Sequence, residues 1–159
     1  FFKAPAATEI YTLSLHDALP IPDPVPPRNN AMAVAASALK AQQSRMRIIA
    51  ENIANAQSTA LTAGGEPYRR QIPVFQAREI DGATGVTLAE VRPDQGDFRS
   101  EYDPSHPAAN AEGYVLRPNV DTLVEAMDMR EAQRAYEANL NVIETARSME
   151  TRTLDLIKR

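Results

Sequence analysis

The sequence predicts an α+β fold: long N- and C-terminal helices forming a coiled-coil-like pair, with a small antiparallel β-rich middle between them. Three observations carry that expectation. All six glycines fall between Gly64 and Gly113, and neither Gly nor Pro occurs over 28–63 or 119–159. Both of these breaker-free stretches are rich in Ala, Leu, Met, Glu, Gln and Arg, the residues that cost least in a helix. The segment between them carries short apolar–polar alternations separated by Gly- and Pro-containing turns, as strands and hairpins require. The expected organisation is an extension over 1–30, an N-terminal axial helix over 31–63, a β-rich segment over 64–118 and a C-terminal axial helix over 119–159.

The extension differs from the rest. Five prolines crowd between Pro20 and Pro27, which favours extended, solvated backbone. Glu9 to Ile21 resembles a translated sequencing adapter, and residues 1–30 are expected to be a disordered, artefactual addition. His16 and Asp17 interrupt its apolar part, so it makes a poor secretory signal.

The first helix is expected to begin with Asn29 or Asn30 as its cap. Its stripe reads Met32, Ala35, Leu39, Gln42, Met46, Ile49, Ile53 and Ala56, at alternating spacings of three and four, with Lys40, Gln43, Arg47 and Glu51 opposite. Such spacing is that of a coiled-coil seam. Fraying is expected at Gln57-Ser58-Thr59, and Gly64-Gly65 should end any continuation.

In the middle, Tyr68–Phe75 reads as a strand that Pro73 confines to an edge or bulge. Asp81-Gly82 and Gly85 frame a turn before the alternating run Val86–Val91. Pro93–Gly96 is a further turn, Phe98–Tyr102 a third strand, and Asp103–Pro107 an irregular loop between two prolines. Gly113–Leu116 is expected to return to the same sheet.

The last helix should start between Asn119 and Thr122, where Thr122-Leu-Val-Glu125 has capping-box spacing. Asp121, Glu125 and Asp128 suit the positive end of the helix dipole, and Lys158 and Arg159 the negative end. Its stripe reads Ala126, Met129, Gln133, Tyr136, Leu140, Ile143, Arg147, Glu150, Leu154 and Ile157. At 1.5 Å per residue the two helices would reach about 40 and 60 Å. A middle of some 55 residues cannot cover stripes of that length. They must pair with each other, with other chains, or both. The expected assembly seam is Leu39, Met46, Ile49, Ile53, Met129, Tyr136, Leu140 and Ile143.

Composition narrows the function. Lys plus Arg number 17 against 21 Asp plus Glu, a net charge of −4, which disfavours a nucleic-acid partner. No run of about 18 apolar residues exists, so no membrane-inserted helix is expected. The chain has no Cys, which removes disulfides, thiolate metal sites and a cysteine nucleophile. No nucleophile, base and orienting group can be assembled, so no catalytic residue, cofactor or metal is expected. His106 has no neighbouring His or Cys and reads as a loop side chain. Asp94 and Asp97 flank Gly96 and read as turn residues rather than an acid–base pair. Gly64-Gly65 lacks the strand-before, helix-after setting of a phosphate loop.

Several motifs remain. Ser37–Met46 followed by Ala50-Glu-Asn-Ile-Ala-Asn-Ala56 resembles the N-terminal signature of flagellar rod and hook axial proteins. Gly65-Glu-Pro-Tyr-Arg-Arg70 with Phe75, Tyr102-Asp-Pro-Ser-His-Pro107, Gly113-Tyr-Val115 and Pro118-Asn-Val-Asp121 are similar to its proximal-rod members. Arg134-Ala-Tyr-Glu-Ala-Asn139 resembles the C-terminal axial motif. The resemblance covers about 31–159 in order. The motif residues are Asn52, Asn55, Ala56, Pro67, Tyr68, His106, Pro107, Gly113, Tyr114, Pro118, Asn119, Tyr136 and Asn139. It implies a structural subunit of the bacterial flagellar basal body that polymerises into the rod crossing the periplasm and contributes to motility. Its implied partners are other rod subunits, copies of itself and the flagellar type III export apparatus. From the residues alone, Asn52 and Asn55 could set register at a subunit contact or be ordinary polar surface. Tyr136 and Asn139 could anchor the helix pair, or belong to a plain amphipathic face. A soluble coiled-coil adaptor forming closed oligomers shares the heptads, but gives no reason for the β-rich middle.

Overall fold

The computed structural model describes residues 30–158. The expectation for residues 1–30 therefore lies outside the described range, apart from Asn30, the first residue of a helix. In chain order the elements are α1 (Asn30–Asn55), β1 (Gln71–Ile80), β2 (Ala83–Pro93), β3 (Arg99–Tyr102), β4 (Tyr114–Arg117) and α2 (Thr122–Ile157). This is the α+β arrangement that the breaker distribution predicts.

The two helices run antiparallel. Asn52, near the end of α1, meets Glu125 in the first turn of α2, while Arg45 reaches Asp128 and Glu131 further along. With 26 and 36 residues they span about 39 and 54 Å, so α2 is about 15 Å longer. Register places Asn30 level with roughly residue 145 of α2. From Thr151 to Ile157 every residue of α2 is exposed, as is its C-cap Lys158.

α1 ends at Asn55, and turns carry the chain on to Ser58: the Ala56 amide donates to the Ile53 carbonyl and the Ser58 amide to the Asn55 carbonyl. Gly64 and Gly65 lie well beyond that end and cap nothing in α1. At the start of α2 the cap is Asp121 rather than Thr122. Its carboxylate accepts from the Leu123 and Val124 amides at 3.0 and 3.4 Å. Asp receives two of the free amides of the first turn at once, and this leaves Glu125 available for another contact.

β1 and β2 form one antiparallel hairpin closed by Asp81 and Gly82, both at positive φ, the two-residue turn whose twist matches that of the strands. A bulge falls between Val74 and Phe75, one residue beyond Pro73, and the strand runs from Gln71 to Ile80, starting later than Tyr68 and ending beyond Phe75. The hairpin packs on α1 where the chains approach closely. Ser37 Oγ accepts from the Val86 amide at 3.1 Å and donates to the Val34 carbonyl at 2.7 Å. Gly85 permits this, because a Cβ there would stand 2.7 Å from Ser37 Oγ.

Gly113–Leu116 does not return to that sheet. β4 pairs antiparallel with β3 alone, giving a second two-stranded sheet. The irregular loop between them is held by its own polar groups. Asp103 accepts from the Ser105 amide and hydroxyl at 3.1 and 2.7 Å, His106 Nδ1 accepts from the Ala108 amide, and Asn110 accepts from the Tyr114 amide. Tyr102 and Tyr114 meet edge to face at 5.2 Å. The apolar core is small: Ala35, Ala41, Ile48 and Ile49 of α1, Ala132 of α2, and Ala108, Val115 and Val120 from the middle.

Candidate assembly site

The helices and the hairpin converge on a polar junction. Asn52 is 1% exposed, and both ends of its amide are in use. Its Nδ2 donates to the Gln71 carbonyl at 2.9 Å and to Glu125 Oε2 at 3.2 Å. Its Oδ1 accepts from the Gln71 amide at 2.8 Å and the Tyr68 hydroxyl at 2.9 Å. Glu125, also 1% exposed, accepts from Arg70 Nε at 2.6 Å. The same guanidinium reaches Asp94 at 3.5 Å and Asp128 at 3.8 Å. A carboxylate can be buried only if it is paired and hydrogen-bonded, and here both conditions hold.

Charge follows from that geometry. Burial disfavours the Arg70 cation, but its hydrogen bond and attraction to Glu125, with Asp94 behind, raise its pKa above the ordinary arginine value. Burial raises the Tyr68 phenol above its ordinary value, and the charges of Glu51 and Glu125 push it further. Asn119 closes the junction from the other side. Its Oδ1 accepts from the Arg70 amide at 2.9 Å, and its Nδ2 donates to the Gly96 carbonyl at 3.2 Å. Arg69 lies over the Phe98 ring at 4.1 Å while also donating to the Asp94 and Gly96 carbonyls.

Asn52 thus makes its contacts inside the chain, to β1 and α2, rather than at a subunit contact. Asn55 does not share this role: its Nδ2 returns to the Glu51 carbonyl on the exposed end of α1. Pro67 is buried beside the junction in sequence, and Pro118 is fully buried just before Asn119. Gly113 adopts φ +84° and Tyr114 closes the loop, with His106 half-buried and Pro107 exposed. On α2, Tyr136 and Asn139 are half-buried, and Asn139 Nδ2 donates to its own helix at the Ala135 carbonyl.

The seam requires correction. Leu39, Met46, Ile49, Met129, Tyr136 and Ile143 lie on the covered sides of their helices, whereas Ile53 is 37% and Leu140 39% exposed. The covered face of α2 runs through Glu125, Ala132, Tyr136, Asn139, Ile143 and Ala146. It keeps Met129, Tyr136 and Ile143 of the expected stripe but passes through Glu125, Ala132, Asn139 and Ala146 where Ala126, Gln133, Leu140 and Arg147 were expected. The apolarity of Ala126 and Leu140 drew that stripe away from Glu125 and Asn139, which are polar yet face inward.

A second apolar stripe lies apart from this face. Val124, Met127, Val142, Met149 and Leu156 are exposed by 49, 64, 47, 64 and 75%. At 100° per residue they lie about 100–160° around α2 from Ile143. Val142, Met149 and Leu156 repeat every seven residues, the signal in the sequence that could have revealed a second seam. Leu154 and Ile157, which continue the inner face beyond the end of α1, are exposed too. Nothing among the described residues covers either surface. No helix there is long and apolar enough to cross a membrane, and no group of His, Asp and Glu among the described residues could hold a metal ion.

Comparison with known proteins gives matches at both ends of the chain. Residues 32–60 match the family model described as flagella basal body rod protein, and 111–156 match the flagellar basal body rod FlgEFG protein C-terminal model. A flagellar basal-body rod protein FlgC of Agrobacterium fabrum is 47% identical over 83% of this chain and 96% of its own length. FlgC of Escherichia coli O6:H1 is 41% identical over 80% of this chain and 96% of its own. FlgC of Bacillus subtilis is 36% identical over 81% and 97%.

Proposed function

This chain belongs to the FlgC family of flagellar basal-body rod proteins, and from that premise we propose that its terminal helices are the polymerising part of a rod subunit. It is a structural component of the flagellar basal body rod, not an enzyme, and it assembles with other rod components and with copies of itself. The finer reading is that α1 and α2 form one coiled-coil-like unit whose outer surface binds neighbouring subunits. The covered seam residues Ile49, Met129, Tyr136 and Ile143 would hold the unit together, and delivery would be through the flagellar type III export apparatus.

The single observation that supports this most is the second apolar stripe on α2. A solitary helical hairpin needs one apolar face per helix, and a second stripe, at Val124 and Met127 and again from Val142 to Leu156, is suited to another helix. Sedimentation of the purified chain at rising concentration tests the reading. An open polymer keeps growing, whereas a closed adaptor saturates at a dimer or trimer. Saturation, with no rescue of rod completion in a strain lacking its own subunit, would overturn it.

A further inference from the structure

We propose that the Asn52–Arg70–Glu125 junction, together with Arg45, locks the register of the α1–α2 pair and makes correct pairing depend on the segment that leads into β1. This pairing lies within one chain and does not depend on how subunits join.

The inner face of α2 does not choose a register by apolar packing alone. Its three inward or flanking carboxylates, Glu125, Asp128 and Glu131, are each followed seven residues later by alanine: Ala132, Ala135 and Ala138. Seven residues are two turns, so a slip of one heptad presents much the same side of α2. It would offer α1 three alanines where three carboxylates now stand. Alanine tolerates such a slide, because it is small and has no direction. The carboxylates do not. In the observed register Arg45 stands 3.3 Å from Asp128 and 3.6 Å from Glu131, and Arg70 stands 2.6 Å from Glu125. After the slip Arg45 and Arg70 would face methyl groups, and Asn52 Nδ2 would lose one of its two acceptors. A single buried polar residue fixes the register of coiled coils by the same means.

The second part of the lock is its origin in three separate stretches of chain. Glu125 belongs to α2 and Asn52 to α1, but Arg70 and Tyr68 belong to the approach to β1, and Asn119 holds the Arg70 backbone amide. Until residues 68–71 are in place, a paired α2 would bury Glu125 without its cation. The helices therefore seat in this register only when the middle of the chain has folded onto them.

The chain has no cysteine, so spin labels at Lys40→Cys and Glu137→Cys, both exposed positions on the paired helices, report the register specifically. Pulsed electron resonance on the full chain should give one distance in the otherwise unaltered protein. In the Arg70→Leu/Glu125→Leu background a second distance should appear, carrying roughly a tenth of the population or more, as a minor state within reach of thermal energy does. It should correspond to an axial slip of about 10 Å, with helicity by circular dichroism unchanged. One unchanged distance in that background would overturn the proposal. If the double variant loses its helices, the isosteric Glu125→Gln variant is read in the same way: a second distance supports the lock and a single one overturns it. Loss of helicity in both variants would overturn it as well, because register would then have no existence apart from helix stability.

Discussion

Replacing Val142, Met149 and Leu156 together by glutamine tests whether the outer stripe of α2 serves other subunits. Glutamine has nearly the helix propensity of methionine and leucine, so the helix itself loses little. Burying a whole Val, Met or Leu side chain is worth about 1.5–3 kcal/mol. In the single chain these three are still 47, 64 and 75% exposed, so about half to three quarters of that gain remains to be realised. The remainder is about 1–2 kcal/mol per residue, or about 3–5 kcal/mol for the three. At 1.4 kcal/mol per decade, association with neighbours should weaken about a hundred- to a thousandfold or slightly more. The stability of the subunit itself should move by less than about 1 kcal/mol, since exposed substitutions touch no packed contact. Urea unfolding of the subunit and co-sedimentation with neighbouring rod subunits measure the two quantities separately. A large fall in unfolding midpoint would show that the stripe is covered within the chain. Unchanged co-sedimentation would show that it faces solvent in the rod.

Three further outcomes follow from the same geometry. Ile143→Asp places a carboxylate on the covered face of α2 and should destabilise the helix pair by several kcal/mol, whereas Glu144→Lys, about 100° round and exposed, should be nearly silent; equal unfolding midpoints would mean that the face is misassigned. Gly113→Ala should cost about 2–4 kcal/mol, because φ is +84° and the new Cβ would lie 3.0 Å from the Tyr102 ring and 3.1 Å from Pro104; a cost below about 1 kcal/mol in denaturant unfolding would show that the loop relaxes freely. Tyr68 has a folded-state pKa above its unfolded value, so its contribution is fully present below the ordinary tyrosine range and is lost as pH rises through the folded value. Tyr68→Phe should remove that part of the alkaline loss in unfolding midpoint, and an identical alkaline profile in the variant would refute the assignment.

The fold was legible because its signals are local and redundant. The absence of Gly and Pro over 28–63 and 119–159 marks the two helices, and Asp81-Gly82 marks the hairpin turn without reference to anything distant. Strand partnership was less legible. β3 and β4 are four residues each, too short for alternation to say which neighbour they join. The junction was hardest to see. Asn52, Arg70 and Glu125 lie 18 and 55 residues apart in sequence, and each alone has an ordinary local explanation: helix surface, strand charge, first-turn acid. Only the crossing of α1, β1 and α2 gives them a common purpose. A buried carboxylate also inverts the rule used to find helix faces, because polarity normally points to solvent.

That inversion explains why α2 carries more than one seam. A stripe chosen for apolarity alone leans toward Ala126, Gln133 and Leu140, on the side of the inner face away from the outer stripe, and so misses both the inward polar groups and the second seam. The inner face can be small and partly polar because Arg45, Arg70 and Asn52 supply direction as well as attraction. Bulky apolar residues are then free for the outer face, where Val142, Met149 and Leu156 recur at the heptad interval. Net stabilisation by an ion pair is modest once desolvation is counted, so the junction gives specificity more than strength. The outer stripe, whose Val142, Met149 and Leu156 bring no buried charge of their own, is suited to strength. If the outer stripe joins neighbouring subunits, as proposed above, this division separates the contacts that shape the chain from those that join it to the next.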